Sequence, residues 1–317
     1  LDQQRWQQNP VELLADAALD PLFMASPRIW VISAWYTHVP FAYWIVNACR
    51  PRRLVELGTH HGVSYAAFCD AVLRAGLTTQ CYGVDTWAGD DHAGHYGEEV
   101  YEDLRAFHDT RYGGFSDLIR STFEDALAYF EDGSVDLLHI DGFHSYEAVA
   151  RDFAQWRPKL SDRAVVLFHD TNVRERHFGV WRFWAELRET YPAFEFLHGH
   201  GLGVLAYGRN VPDTVLDLCR LTDPAVLTRI RNRFAFSGRA CLMETELARH
   251  RTDEEARKHE SGGTVARDHE IARLQAALAA REAELAALQS STTWKLTAPA
   301  RAVGDLAKAP LRRLRRR

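Results

Sequence analysis

Leu54-Val55-Glu56-Leu57-Gly58-Thr59-His60-His61-Gly62-Val63-Ser64-Tyr65 is the stretch whose reading decides the fold. A short apolar run meets an acid, turns through two glycines and enters an apolar helical pattern. That is strand, tight loop, helix. Gly58 and Gly62 let the backbone approach a ligand where a Cβ would collide. A helix starting near Ser64 turns its unpaired N–H groups toward that ligand, which favours a carboxylate or phosphate. Glu56 closes the strand at its carboxyl end, where open α/β sheets bind ligands.

The spacing separates cofactors. A dinucleotide fingerprint reads G-x-G-x-x-G; here the order is E-x-G-x-x-x-G, with His60 where a middle glycine would stand. One βα unit later Tyr82-Gly83-Val84-Asp85-Thr86-Trp87 gives a second strand ending in an acid. An acid at that place accepts the hydroxyls of a nucleoside ribose. The two strands together resemble the S-adenosylmethionine site of class I methyltransferases. The resemblance implies that Glu56 faces the methionine amine, that Gly58, Gly62 and Ser64 line the loop, and that Asp85 holds the ribose.

Outward from this core the alternation continues. Ile29–Ala48 is dense in aromatics and reads as a helix packed on the sheet. Strands are expected at Arg53–Leu57, Gln80–Asp85, Leu118–Ser121, Val135–Asp141 and Ala164–Asp170. Helices are expected at Ser64–Ala75, Glu98–Asp109, Thr122–Phe130, Ser145–Arg157 and Phe178–Tyr191. Phe194–His198 and Gly203–Tyr207 read as a closing antiparallel hairpin around Gly199-His200-Gly201. This pattern predicts a doubly wound, Rossmann-like α/β sheet of seven strands. Residues 88–117 interrupt it with a polar insertion of the kind that covers a site.

Domain organisation follows from shifts in composition. Residues 1–29 read as a lead-in, 30–210 as the α/β domain, and 211–251 as a helical extension. A charged linker is expected at 252–264 and a short coiled coil at 265–290, carried by Ile271, Leu274, Leu278, Leu285 and Leu288. That seam suits self-association or docking to a partner. Residues 291–317 form a basic tail, solvated or laid on an anionic membrane face.

Composition excludes several classes. The 317 residues carry a net charge of −5, so a general nucleic-acid-binding surface is not expected. Five cysteines form no C-x-x-C pair and suit buried thiols in a reducing, cytoplasmic setting. No apolar run of about eighteen residues is present to span a bilayer. The chain opens at Leu1 rather than Met, as a piece of a longer protein would, and shows no signal-peptide pattern.

A second constellation carries the chemistry. Asp141-Gly142-Phe143-His144-Ser145-Tyr146 and His169-Asp170-Thr171-Asn172 follow two expected strands. Asp141, Asp170 and Asn172 can give oxygen ligands to Mg²⁺ or a similar hard cation. His144, three residues after Asp141, is the expected general base, because an ordinary histidine titrates near ~6.5. His169 is the reserve base, with a structural role equally open.

Val55–Ser64, Gly83–Trp87, His139–Tyr146 and Leu167–Thr171 together resemble a methyltransferase family with an I-D-G-x-H-x-Y motif, related to macrocin-type sugar O-methyltransferases and to proteins labelled cephalosporin hydroxylase. The likeness covers somewhat more than half the chain. It extends to metal-dependent catechol O-methyltransferases, which hold Mg²⁺ with two Asp and an Asn and use a Lys three residues after the first Asp. Asp141 and Asp170 match that pattern, Asn172 is displaced by one, and His144 replaces the Lys. The resemblance implies S-adenosylmethionine and a divalent cation as cofactors, and a sugar, glycan or glycosylated natural product as hydroxyl acceptor. Two other readings stand beside it. One is a metal-dependent hydrolase built on His60, His61, His92 and His95 with Asp90 or Asp91. The other is a non-catalytic scaffold in glycan assembly.

Overall fold

The computed structural model describes residues 25–89, 94, 97–175, 177–260 and 273–283. One compact unit spans Asp20–Glu246; a second comprises Leu1–Leu19 and Leu247–Arg317.

In the first unit a 3-10 helix, Ala34–His38, leads into helix α1, Val39–Cys49. Ser33 caps the 3-10 turn through the backbone N–H of Trp35, and Pro40 suits the first turn of α1, which needs no donor there. Then come β1 Arg53–Leu57, α2 Val63–Arg74, β2 Gln80–Asp85, α3 Glu98–Arg111 and β3 Ser116–Arg120. They are followed by β4 Val135–Ile140, α4 Tyr146–Trp156, β5 Leu160–His169, α5 Val180–Thr190, β6 Ala193–Phe196 and β7 Leu202–Ala206. Helices α6, Asp213–Cys219, and α7, Pro224–Glu260, complete the order.

The strands form one seven-stranded sheet in the order β3-β2-β1-β4-β5-β7-β6. The first five are parallel, and β7 runs antiparallel to both β5 and β6. This is a doubly wound, Rossmann-like α/β sheet, and it bears out the expected seven strands and their closing hairpin. The chain order reverses at β1 and β4, which opens the crevice where such sheets take ligands.

Side-chain alternation splits the core in two. Leu54, Leu137, Val165 and Leu167 face α1, α2 and α6. Val55, Leu57, Leu138, Val166 and Phe168 face α4 and α5. Burying each large side chain of this kind contributes about 1.5–3 kcal/mol, enough to fix the register. Register then sets the site. Leu57 pairs Val84 on one side and Ile140 on the other, and Ile140 pairs Phe168. The next residue on each strand is therefore Gly58, Asp85, Asp141 and His169, side by side along the carboxyl edge.

Three expectations change. Thr122–Phe130 holds a 3-10 turn, Asp125–Tyr129, in place of an α-helix. Helix α7 runs to Glu260, so the first nine residues of the expected linker are helical. No Gly or Pro interrupts the charged sequence before Ser261-Gly262-Gly263, so nothing breaks the helix there. The compact unit is also wider than 30–210 and takes in most of the helical extension. Of the heptad leucines, Leu274 and Leu278 lie in the helical stretch 273–283; Ile271, Leu285, Leu288 and the basic tail lie outside the described residues. All five cysteines are buried and free. Among the described residues no helix is long and apolar enough to cross a membrane.

Candidate active site

The glycine loop is built by close approach. Gly58 has φ +90°, and a Cβ there would lie 2.0 Å from the carbonyl oxygen of Asp141. Any other residue is strained and clashes with backbone. Gly62, at φ +79°, starts α2, whose first turn has no side-chain cap and no acid. Its leading N–H groups have no side-chain cap and are of the kind that an anionic ligand can satisfy. Ser64, in that turn, is buried.

Asp85 stands at the end of β2, 9% exposed. Its two oxygens each accept a backbone N–H at 2.8 Å, one from His60 and one from Trp87. The Trp87 indole donates back to the carbonyl of His60 at 2.8 Å. Asp85 thus ties the glycine loop to the connection after β2, and each oxygen keeps a second lone pair for a ligand hydroxyl.

Glu56 departs from expectation. It has no exposed surface, and its Oε2 lies 2.8 Å from Nδ1 of His139, its neighbour on β4. Burial raises its pKa, and the contact with His139 only partly offsets that rise. In the ligand-free chain Glu56 has no open surface toward a cofactor amine. Glu56 is instead half of a buried pair beneath the loop, since the strand's pleat points it into the α2 side of the sheet.

The second constellation converges. Asp170 Oδ2 lies 2.8 Å from Nε2 of His144, and Asp141 Oδ1 lies 3.7 Å from the same nitrogen. One donor atom from each of Asp141, His144 and Asp170 falls within 4.8 Å of the others, the size of group that holds a metal ion. His169 sits behind them: Nδ1 meets Asp141 Oδ1 at 3.1 Å and Nε2 donates to the carbonyl of Gly199 at 3.0 Å. Burial opposes charge on His169, but Asp141 and Asp170 outweigh it and raise its pKa well above the ordinary value. When protonated, His169 donates from both nitrogens and acts as a counter-charge to the two acids.

His144 lies against the same two acids. Burial pulls its pKa down, yet Asp141 at 3.7 Å and Asp170 at 2.8 Å carry it to about 9 in the metal-free chain. In turn the histidines hold both carboxylates below the ordinary range, against the effect of burial.

Asn172 is tied to the β6–β7 connection: its Nδ2 donates to the carbonyl of Leu197 at 3.0 Å and its backbone N–H to that of His200 at 2.8 Å. Its Oδ1, the atom that would ligate a cation, is not engaged by either bond. That connection supplies the residue the sequence did not reveal. His200 Nδ1 lies 3.1 Å from Asp170 Oδ1, with a side chain 60% exposed. It stands at φ +68° between Gly199 at +55° and Gly201 at +92°, a left-handed run that holds the imidazole at the mouth of the cluster. A histidine between two glycines at a hairpin tip was the signal for it.

The rest of the I-D-G-x-H-x-Y motif is architectural. A Cβ on Gly142 would sit 2.4 Å from the Phe123 ring, and the Tyr146 hydroxyl donates to Glu186 on α5 at 2.8 Å. Among the described residues no metal-sized group forms at His60 and His61; His92, His95, Asp90 and Asp91 lie outside the described residues.

Residues 55–171 match the family model described as a methyltransferase domain. The matched stretch takes in Glu56, Asp85, Asp141, His144 and Asp170 but not His200. A protein of Sinorhizobium fredii named uncharacterized protein y4gI is 52% identical over 213 residues, which are 67% of this chain and 23% of that protein. The chain thus spans under a quarter of that relative's length. Two solved structures are also similar. The SAH-bound methyltransferase PaMTH1 of Podospora anserina has 14% identity and a TM-score of 0.42, covering 62% of this chain and 96% of its own. The O-methyltransferase TomG of Streptomyces achromogenes, involved in tomaymycin synthesis and solved with SAM, has 16% identity and a TM-score of 0.41, covering 66% and 100%.

Proposed function

We propose that this chain transfers the methyl group of S-adenosylmethionine to a hydroxyl of a sugar or glycosylated product, assisted by a divalent cation. The observation that carries the reading is the contact between the glycine loop and the acid cluster: the space a Cβ of Gly58 would fill is the carbonyl of Asp141. Donor loop and ligand group are therefore neighbours, as in-line transfer requires.

The site fits both cofactors by its donor chemistry. The uncapped start of α2 suits the donor's carboxylate, and Asp85 suits its ribose. Asp141, His144 and Asp170 would hold the cation. When bound, a divalent cation lowers the pKa of an acceptor hydroxyl. The sulfonium methyl is already activated, so the protein's work is alignment and proton removal. His200 is placed for the second task. Its Nδ1–H is held by Asp170, which leaves Nε2 as the acceptor of the hydroxyl proton. His169 keeps Asp141 in place from behind.

The exposed rim of His200, Asn172 and Leu197 suits a polar acceptor with some apolar surface. The test is methyl transfer to a panel of sugar and glycoside acceptors, with His200→Ala as control. The expected loss in that variant is roughly 10²–10⁴-fold in turnover. Full turnover in His200→Ala would move the base elsewhere.

A further inference from the structure

We infer that His144 is a nitrogen ligand of the cation, and that the site therefore takes a first-row transition ion such as Mn²⁺, Fe²⁺, Co²⁺ or Zn²⁺ in preference to Mg²⁺. The inference rests on the metal-assisted reading above and specifies its ion.

Position comes first. Bonds of about 2.0–2.2 Å place adjacent donors about 3 Å apart around an ion. His144 Nε2 is 2.8 Å from Asp170 Oδ2 and 3.7 Å from Asp141 Oδ1, so the nitrogen is one corner of a triangle of that size. The imidazole is also fixed in that corner. Its ring stacks on Phe178 with centroids 4.5 Å apart and planes 9° from parallel, and its backbone carbonyl accepts the N–H of Gly179 at 2.7 Å. The absence of Cβ at Gly179 is what allows this approach, since a Cβ would lie 2.2 Å from the backbone nitrogen of Tyr146. A base that must swing between ion and acceptor needs freedom that this ring lacks.

Chemistry comes second. The donors that lie within 4.8 Å of one another are two carboxylates and an imidazole, Asp141, Asp170 and His144. Mg²⁺ favours oxygen ligands in a near-ideal octahedron and keeps its waters, whereas imidazole suits Zn²⁺, Fe²⁺ and their neighbours. Tighter binding of Zn²⁺ than Mg²⁺ would not by itself decide the matter, because almost any mixed site follows that order. The nitrogen itself has to be observed.

The experiment uses the full chain freed of metal by chelation. Mn²⁺, Co²⁺ and Mg²⁺ are titrated in competition with a chromophoric chelator. The Mn²⁺-loaded chain is examined by pulsed EPR for directly coordinated ¹⁴N, and S-adenosylmethionine binding is measured by calorimetry on the same preparations. One ion per chain with a ¹⁴N coupling is expected. His144→Ala should lose that coupling and weaken Mn²⁺ and Co²⁺ at least about 10-fold. His144→Asp should bind an ion without the coupling and shift preference toward Mg²⁺, which shows that the fold survives the change. A wild-type chain with no ¹⁴N coupling, or a His144→Ala chain that keeps both coupling and affinity, overturns the inference. A chain that binds the methyl donor but no divalent ion overturns it while methyl transfer stands. A chain that binds the ion through nitrogen but not the donor upholds it while methyl transfer falls.

Discussion

The two edges of the sheet treat buried carboxylates in opposite ways. At the amino edge, Asp136 is 2% exposed and is held by the backbone N–H, Nε and Nη2 of Arg52 and by the hydroxyl of Ser161, at 2.7 to 2.9 Å. At the carboxyl edge, Asp141 and Asp170 meet His144, His169 and His200. A guanidinium keeps its charge at every working pH and closes the carboxylate off with a fork of donors. Imidazoles can surrender a proton and exchange their place for a cation. The first arrangement is a rivet between β1, β4 and β5. The second is two like charges kept close by partners that can be replaced, which is what a ligand site needs.

Exchanging these roles is the strongest way to break the comparison. Asp141→Ala and Asp170→Ala should lower methyl transfer by at least roughly 10²–10⁴-fold, with donor affinity within a few-fold of wild type by calorimetry. Asp136→Ala should do the reverse. It removes the acceptor of Ser161 and of a guanidinium that stays solvated, and should cost about 1–3 kcal/mol in urea unfolding, with donor affinity unchanged. A large loss of donor binding in Asp136→Ala would mean that the two edges are not independent.

The division also explains what could be read from the chain. Strand ends at Leu57, Asp85 and Ile140 were legible because apolar runs stop at acids, and the acids fell on one edge because parallel strands share a direction. Partners across strands were not legible. Nothing local to Glu56 announces that register sets it beside His139. That the left-handed turn at Asp170, φ +60°, would let Asn172 bond to the β6–β7 connection was not legible either. His200 belongs to the cluster only through that same connection, 30 residues later in sequence.

Smaller effects sharpen the contrast. In the metal-free chain His144 has a folded pKa of about 9, above its ordinary value. Its stabilisation is complete below about pH 6.5 and is lost as pH rises through about 9, up to about 3 kcal/mol. A thermal scan against pH should show this decline, and His144→Gln should flatten it. The Arg52–Asp136 rivet should add nothing in that window.

Asp152 gives the smallest effect. It is a buried carboxylate on α4 with Arg151 at 3.5 Å, and burial pushes its pKa up to about 6. A carboxylate raised in the folded state destabilises above that pH and ceases to do so below its ordinary value. Asp152→Asn should therefore stabilise the chain by about 2 kcal/mol at pH 7.5, with the gain gone near pH 3.5. No gain at pH 7.5 would show that Arg151 already compensates the charge.

The proposed donor site is the edge carrying Gly58, Asp85 and the histidine-held acids. Calorimetric titration of the full chain with S-adenosylmethionine tests it most directly, beside Asp85→Ala. Saturable binding of one donor per chain is expected, weakened more than about tenfold in Asp85→Ala through loss of about 1.5–3 kcal/mol of hydrogen bonding. Absence of binding by the wild type, or equal binding by Asp85→Ala, would contradict it.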